Sequence, residues 1–118
     1  MIIKGFGGIF WRTRNIDVLK NWYKEVLKIE MEDWNGTVIT PHTDNATIFS
    51  FFTESDGYFP IDQQVMLNFQ VENIEDSIKH LEQMDVPLVK EQENSEFGKF
   101  IWIEDPAGRR IELWEKQV

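Results

Sequence analysis

The chain has 118 residues, 42% hydrophobic and 28% charged, with 21 acidic against 12 basic residues and a formal net charge of −9. That size and composition predict one folded domain and exclude a disordered chain, while the negative charge argues against nucleic acid or an anionic membrane as partner, since both need local positive potential. With no cysteine, a disulfide framework, a thiolate nucleophile and a cysteine metal site are excluded, and no apolar run approaches the roughly 18 residues that cross a bilayer.

The N-terminal Met1-Ile2-Ile3-Lys4-Gly5-Phe6-Gly7-Gly8 lacks the apolar core of a signal peptide, so a cytoplasmic protein is expected. Residues 8–14 read as a strand. Asn15 is a helix cap, Asp17 favours the helix dipole, and Ile16, Leu19, Trp22, Tyr23, Val26 and Leu27 recur at helical spacing, predicting a helix of about 13 residues. Residues 29–34 and 37–41 read as strands joined by the hairpin dipeptide Asn35-Gly36. His42 to Asn45 reads as a polar loop with His42 in solvent, and 46–52 as a fourth strand. The polar segment from Glu54 to Pro60 is the best linker.

The order then repeats. Residues 65–71 read as a strand, Asn73 caps a helix carrying Ile74, Ile78 and Leu81 on its apolar face, and His80 on it reads as a packed or surface residue. A short strand is expected at 86–91 and a solvated loop from Glu91 to Ser95. The chain closes on Phe100-Ile101-Trp102-Ile103-Glu104-Asp105-Pro106-Ala107-Gly108-Arg109-Arg110-Ile111-Glu112-Leu113-Trp114, two β-rich runs around a turn, hence a hairpin. The caps Asn15 and Asn73 are 58 positions apart, and each follows a strand. The expected fold class is α+β: two tandem βαβββ units, the first about 1–56, a linker about 57–63, the second about 64–118.

Glu112 stands between Ile111 and Leu113 in the last strand. A carboxylate there is costly unless it faces a polar cavity, has a partner or binds a metal. No Ser/His/Asp pattern, phosphate-cradling loop or His pair at metal spacing occurs, and Gly5-Phe6-Gly7-Gly8 precedes a strand, outside any nucleotide-loop context.

The strand-to-helix junction Arg14-Asn15-Ile16 with Trp22-Tyr23, the stretch Phe69-Gln70-Val71-Glu72-Asn73-Ile74, and Asp105-Pro106-Ala107-Gly108-Arg109-Arg110-Ile111-Glu112-Leu113 resemble the vicinal oxygen chelate superfamily, which includes glyoxalase I, extradiol dioxygenases and the bleomycin- and fosfomycin-resistance proteins. The last of these stretches resembles its Asp-Pro-x-Gly-x-x-x-Glu signature. The resemblance implies a curved, cup-like mixed sheet with helices outside, and often a homodimer. It also implies one divalent metal held from the first and last strands of each unit. Carried over, the two first-strand ligands, usually His, fall at Gly8 and Met66. The last-strand ligand falls at Glu112, and the remaining one at Phe49 or Ser50, with Glu54 as an outlying choice. Glycine offers no ligand and a thioether suits a hard or borderline divalent ion poorly. No metal and no other cofactor is therefore expected, Glu112 being the single retained ligand position.

Alternation then assigns faces. Facing the cup with Gly8 are Phe10 and Arg12; with Met66, Asn68 and Gln70; with Glu112, Arg110 and Trp114; and from the neighbouring strand, Phe100 and Trp102. The expected ligand-binding set is Phe10, Arg12, Met66, Asn68, Gln70, Trp102, Arg110, Glu112 and Trp114, an aromatic cup with a few convergent polar groups. Glu112 reads first as a structural ion pair with Arg12 or Arg110, next as counter-charge to a cationic ligand, and last as a general base or acid. The aromatic residues suit a ligand platform or a dimer interface.

The leading expectation is a metal-independent small-molecule binding protein of the glyoxalase/bleomycin-resistance type, its ligand aromatic and conceivably cationic, so the reading leans away from an enzyme. The alternatives are a lyase, isomerase or metal-dependent glyoxalase- or dioxygenase-like enzyme using Glu112, and a structural or regulatory dimer with a collapsed cup.

Overall fold

A computed structural model describes residues 1–118. Two ten-residue helices and four strands make up its regular structure: α1 (Ile16–Glu25), β1 (Leu67–Gln70), α2 (Ile74–Gln83), β2 (Glu93–Ser95), β3 (Gly98–Glu104) and β4 (Arg110–Lys116). Both helices start where an asparagine side chain can accept from an orphan N–H: Asn15 Oδ1 from Val18 N and Asn73 Oδ1 from Asp76 N. A second acceptor reaches α2 from the sheet, where Glu115 Oε1 takes the Ile74 N–H at 2.7 Å. No helix is long and apolar enough to cross a membrane.

The sheet order is β1-β4-β3-β2, with β1 parallel to β4 and the other pairs antiparallel. Its register places Leu67 opposite Ile111, Phe69 opposite Leu113, Ile101 opposite Leu113 and Ile103 opposite Ile111. Since side chains alternate faces, these residues share one side. There Ile101, Ile103, Ile111 and Leu113 join Leu19, Tyr23 and Val26 from the first helix region and Ile74 and Leu81 from α2 in one buried core, with Phe69 packed against it. The opposite face carries Asn68, Gln70, Phe100, Trp102, Glu112 and Trp114. The fold is thus a small α+β domain, a four-stranded mixed sheet with two helices packed on one side.

Several expected strands differ. Residues 8–14, 29–34, 37–41 and 46–52 form no hydrogen-bonded ladder. The turn at Asn35-Gly36 does form: Asn35 adopts φ 69°, and Glu32 N–H donates to the Gly36 carbonyl at 2.8 Å. The flanking residues Val38, Ile39, Ile48 and Phe51 stay largely exposed, so no buried face pins a register. Residues 86–91 are irregular, and the second strand of the second half lies instead in the stretch expected as a solvated loop. There Glu93, Asn94 and Ser95 pair with Phe100, Lys99 and Gly98. All three are exposed, which suits an edge strand with no face to bury. Gly98 closes this turn at φ 130°, where an added Cβ would lie 2.0 Å from the Glu115 carbonyl oxygen.

The hairpin at Asp105-Pro106-Ala107-Gly108 forms as expected, and its aspartate does more than turn the chain. Asp105 Oδ1 accepts from Ala107 N and Arg109 N at 2.9 and 3.0 Å, while Oδ2 accepts from the Tyr23 hydroxyl at 2.8 Å. The carboxylate thereby ties the β3–β4 turn to α1. Arg109 stacks over Trp11 with its guanidinium carbon 4.5 Å from the ring centroid, and its Nη2 donates to the Arg12 carbonyl. His80 Nε2 lies 2.7 Å from the Val26 carbonyl oxygen, fastening α2 to the end of α1; it is a packed histidine.

Candidate functional site

The outer face of the sheet holds an aromatic row. Phe100 and Trp114 are register partners across β3 and β4, with centroids 6.3 Å apart and planes at 6°. Phe100 and Trp102, two apart on β3, stack at 6.4 Å and 17°. Trp114 donates its indole N–H to the Phe97 carbonyl at 2.9 Å, which fixes that end of the row.

Glu112 lies beside Trp102, its register partner, and beside Asn68 on β1. It is 6% exposed, and three neutral donors surround its carboxylate. Asn68 Nδ2 donates to Oε1 at 2.5 Å, while Trp102 Nε1 at 2.8 Å and the Tyr58 hydroxyl both donate to Oε2. Buried carboxylates persist when donors replace lost water, and this one is fully provided for. The expected ion pair with Arg12 or Arg110 does not form. Arg110 instead directs Nη1 to the Tyr58 carbonyl at 3.3 Å, and its Nε is buried without a partner.

Tyr58 and its neighbours come from the stretch expected as a linker. Its ring stacks on Phe52 at 5.4 Å and meets Trp102 edge-on at 6.0 Å. Burial, then the Glu112 hydrogen bond and charge, push the Tyr58 phenol well above its ordinary value of 10.0. Gln63 acts like a strand residue at the edge of β4: its side-chain amide exchanges two 2.8 Å bonds with the backbone of Arg110. Gln70 holds a loop from the first half over the sheet, accepting from Asn45 Nδ2 and Ala46 N and donating to the Asp44 carbonyl. Above Trp102 sits Lys90, Nζ 4.1 Å from its ring centroid and 5.4 Å from that of Tyr58.

The structure therefore brings together Asn68, Trp102 and Glu112, with Gln70, Arg110 and Trp114 on the same face. It leaves two expected residues apart. Phe10 is 91% exposed, its ring lying against Gly8. Arg12 lines a cleft of about 500 Å³ at the start of α1, beside Arg14, Pro106 and Arg109. Both lie on the segment that forms no ladder, so alternation could not carry their faces to the sheet. Met66 is half-buried just before β1. Sequence reasoning missed Tyr58, Gln63 and Lys90; the Tyr58-Phe59 pair inside a polar stretch was the available signal. A cleft of about 580 Å³ lies away from Glu112, between residues 26–39 and the β1–α2 connection. Trp102 itself is fully buried.

The residues at the superfamily's metal position do not fit a divalent ion. Glu112 is the one carboxylate, and the polar groups around it are O–H and N–H donors, which repel a cation. Phe49 packs edge-on against Phe6 and Phe51, and Ser50 and Glu54 are exposed. No three His, Cys, Asp or Glu side chains stand together as a metal site.

The buried phenols have a measurable consequence. Burial and then Asp105 raise Tyr23, as burial and then Glu112 raise Tyr58. Below about pH 10 both phenols are neutral in the folded and unfolded chains. Above it the unfolded chain releases these protons while the folded one keeps them, so stability falls with rising pH. Urea midpoints measured from pH 8 to 11.5 are expected to drop steeply above pH 10. The drop should be shallower in Tyr58→Phe and Tyr23→Phe than in the parent chain; a slope equal to the parent's in both variants would show that neither phenol is held neutral by the fold.

No protein-family model matches the chain, and no curated protein matches its sequence. Solved structures do resemble it. A glyoxylase/bleomycin resistance protein/dioxygenase domain from Frankia sp. EAN1pec has TM-score 0.63 at 14% identity, over 98% of this chain and 100% of that one. Lactoylglutathione lyase from Agrobacterium tumefaciens has TM-score 0.56 at 13% identity, over 95% and 96%. TnmS3, an antibiotic binding protein from Streptomyces sp. CB03234, has TM-score 0.55 at 14% identity, over 86% of each. At these identities the likeness shows the fold that these proteins share, and not the activity.

Proposed function

We propose that this chain, having the fold of the glyoxalase and bleomycin-resistance proteins, binds a small, partly aromatic molecule on the Trp102–Phe100–Trp114 face without a metal ion. The observation that carries the reading is the Glu112 cluster: one buried carboxylate set among aromatic rings, its oxygens held by Tyr58, Asn68 and Trp102. Such a cluster combines aromatic rings with a few fixed polar groups, which is what small-molecule sites are made of. The same cluster supports binding over catalysis. Oε2 already accepts two hydrogen bonds and Oε1 one, so the carboxylate has little free capacity to take a substrate proton. A similar fold occurs in TnmS3, an antibiotic binding protein, which supports a binding role here.

The finer architecture of the reading is two tandem βαβββ units, the second formed by β1, α2, β2, β3 and β4, the first by residues about 1–56, joined by about 57–63. The matching caps at Asn15 and Asn73 support it. The exposed apolar residues Phe6, Ile9, Phe10, Ile48, Phe49 and Phe51 support pairing of the first unit with a second copy, since so large an apolar surface is rarely left in water. The acidic chain supports a role with neither nucleic acid nor an anionic membrane as partner.

A second reading, a structural or regulatory dimer with a permanently closed cup, is favoured by the complete burial of Trp102. One screen separates the readings. Aromatic amines, acids and neutral ring compounds are added to the protein while melting temperature and tryptophan fluorescence are followed. Binding predicts a compound that stabilises the fold and quenches fluorescence, with quenching much reduced in Trp102→Phe and no product formed. No stabilising compound across the screen would leave the closed cup. A product whose formation stops in Glu112→Gln would establish an enzyme, and stoichiometric metal or strong stabilisation by Ni²⁺, Zn²⁺, Mn²⁺ or Fe²⁺ would overturn the metal-free part.

A further inference from the structure

Lys90 covers the ring of Trp102 with its charged end. Its ammonium lies over the indole face at 4.1 Å, with the Tyr58 ring at 5.4 Å and Glu93 Oε2 at 3.2 Å. The π faces of Trp and Tyr attract cations, and both rings are hydrogen-bonded to the Glu112 carboxylate. The spot is a seat for a positive charge, and the chain fills it with its own side chain.

The occupant is loosely held. The Lys90 and Glu93 side chains are 40% and 60% exposed, so their ion pair is weak and screened by salt. The lysine belongs to the irregular stretch between α2 and β2. That stretch is tied to the sheet by Val89 N–H, which donates to the Trp102 carbonyl at 2.7 Å. A four-carbon stem allows the ammonium to swing into water without moving this bond.

We propose that Lys90 is an internal occupant of the cup's cation seat, and that a ligand carrying an alkylammonium group on an aromatic ring binds by displacing the Lys90 ammonium from Trp102. This rests on the ligand-binding reading of the Glu112 face. Lys90 then sets a threshold: a ligand without a positive charge gains nothing at the seat and does not displace it.

Phenyltrimethylammonium chloride and sodium phenylacetate serve as probes, titrated into the full chain while the Trp102 indole N–H resonance is followed. Lys90→Met keeps the aliphatic stem and removes the charge. Lys79→Met removes the same charge from an exposed position on α2 and controls for net charge. The expected result is that Lys90→Met binds phenyltrimethylammonium about three- to tenfold more tightly than the parent chain, that Lys79→Met is within twofold of the parent, and that phenylacetate binding is not tightened. In the ligand-free parent, the Lys90 ε-methylene protons should be shifted upfield by the Trp102 ring current and should return to ordinary values as the cation binds. Equal affinities in parent and Lys90→Met, or ε-methylene protons at ordinary positions in the free protein, would overturn the displacement while leaving ligand binding standing. No response of Trp102 to either probe in any of the proteins would overturn both.

Discussion

Replacing Glu112 by alanine is expected to lower the free energy of unfolding by about 3 kcal/mol or more, because it strands three donors at once. The carboxylate is 6% exposed and takes the Tyr58 hydroxyl, the Trp102 indole N–H and the Asn68 amide. The indole is entirely buried, and water reaches it only by opening the face. Glu112→Gln keeps one acceptor oxygen but turns an amide N–H toward the donors, so a smaller loss of about 1–2 kcal/mol is expected. Urea unfolding of the two variants measures both. A loss under about 1 kcal/mol in Glu112→Ala would mean that water replaces the carboxylate freely and that the cup is open.

Asp105→Ala carries the other large effect. Asp105 is 4% exposed and accepts three hydrogen bonds, two from the turn backbone and one from Tyr23, 82 positions away. Removing it frees the β3–β4 turn and leaves a buried phenol without an acceptor, a loss of about 3–4 kcal/mol by the usual worth of bonds to charged groups. Tyr23→Phe breaks one of the three bonds and should lose about 1–2 kcal/mol. A cycle with Asp105→Ala, Tyr23→Phe and the double variant isolates the link between turn and helix. Additive losses would show that the 2.8 Å contact contributes nothing of its own.

These two carboxylates mark how far the residues alone can be read. Both belong to the stretch that resembles the superfamily signature, and the hairpin around them was legible because Pro106 and Gly108 punctuate two β-rich runs. The alternation of Ile101, Ile103, Ile111 and Leu113 against Phe100, Trp102, Glu112 and Trp114 was legible too, since a half-buried sheet imposes period two. Partners were not. Arg12 and Arg110 seemed natural counter-charges for Glu112, yet its donors are neutral and two of them, Tyr58 and Asn68, come from elsewhere in the chain. A hydrogen bond between positions 58 and 112 leaves no local pattern.

The first half shows the other limit. Its apolar alternation is as strand-like as that of the second half, and its turn at Asn35-Gly36 forms, but Val38, Ile48, Phe49 and Phe51 find no face within this chain to bury against. Periodicity states which residues want burial and not where a surface will be supplied.

What the sequence by itself determined is therefore local: the caps at Asn15 and Asn73, the apolar faces of both helices, and the closing hairpin with its two faces. Each follows from a backbone preference or a short period. Only the tertiary structure decided that Glu112 is a neutral-donor acceptor and not an ion pair, that residues 57–63 supply Tyr58 and Gln63 to the site, that Phe10 and Arg12 stand apart from it, and that Lys90 lies over Trp102. Those outcomes depend on which distant side chains meet when the sheet closes against the helices, and a contact of that kind is a property of the packed chain, not of any stretch of it.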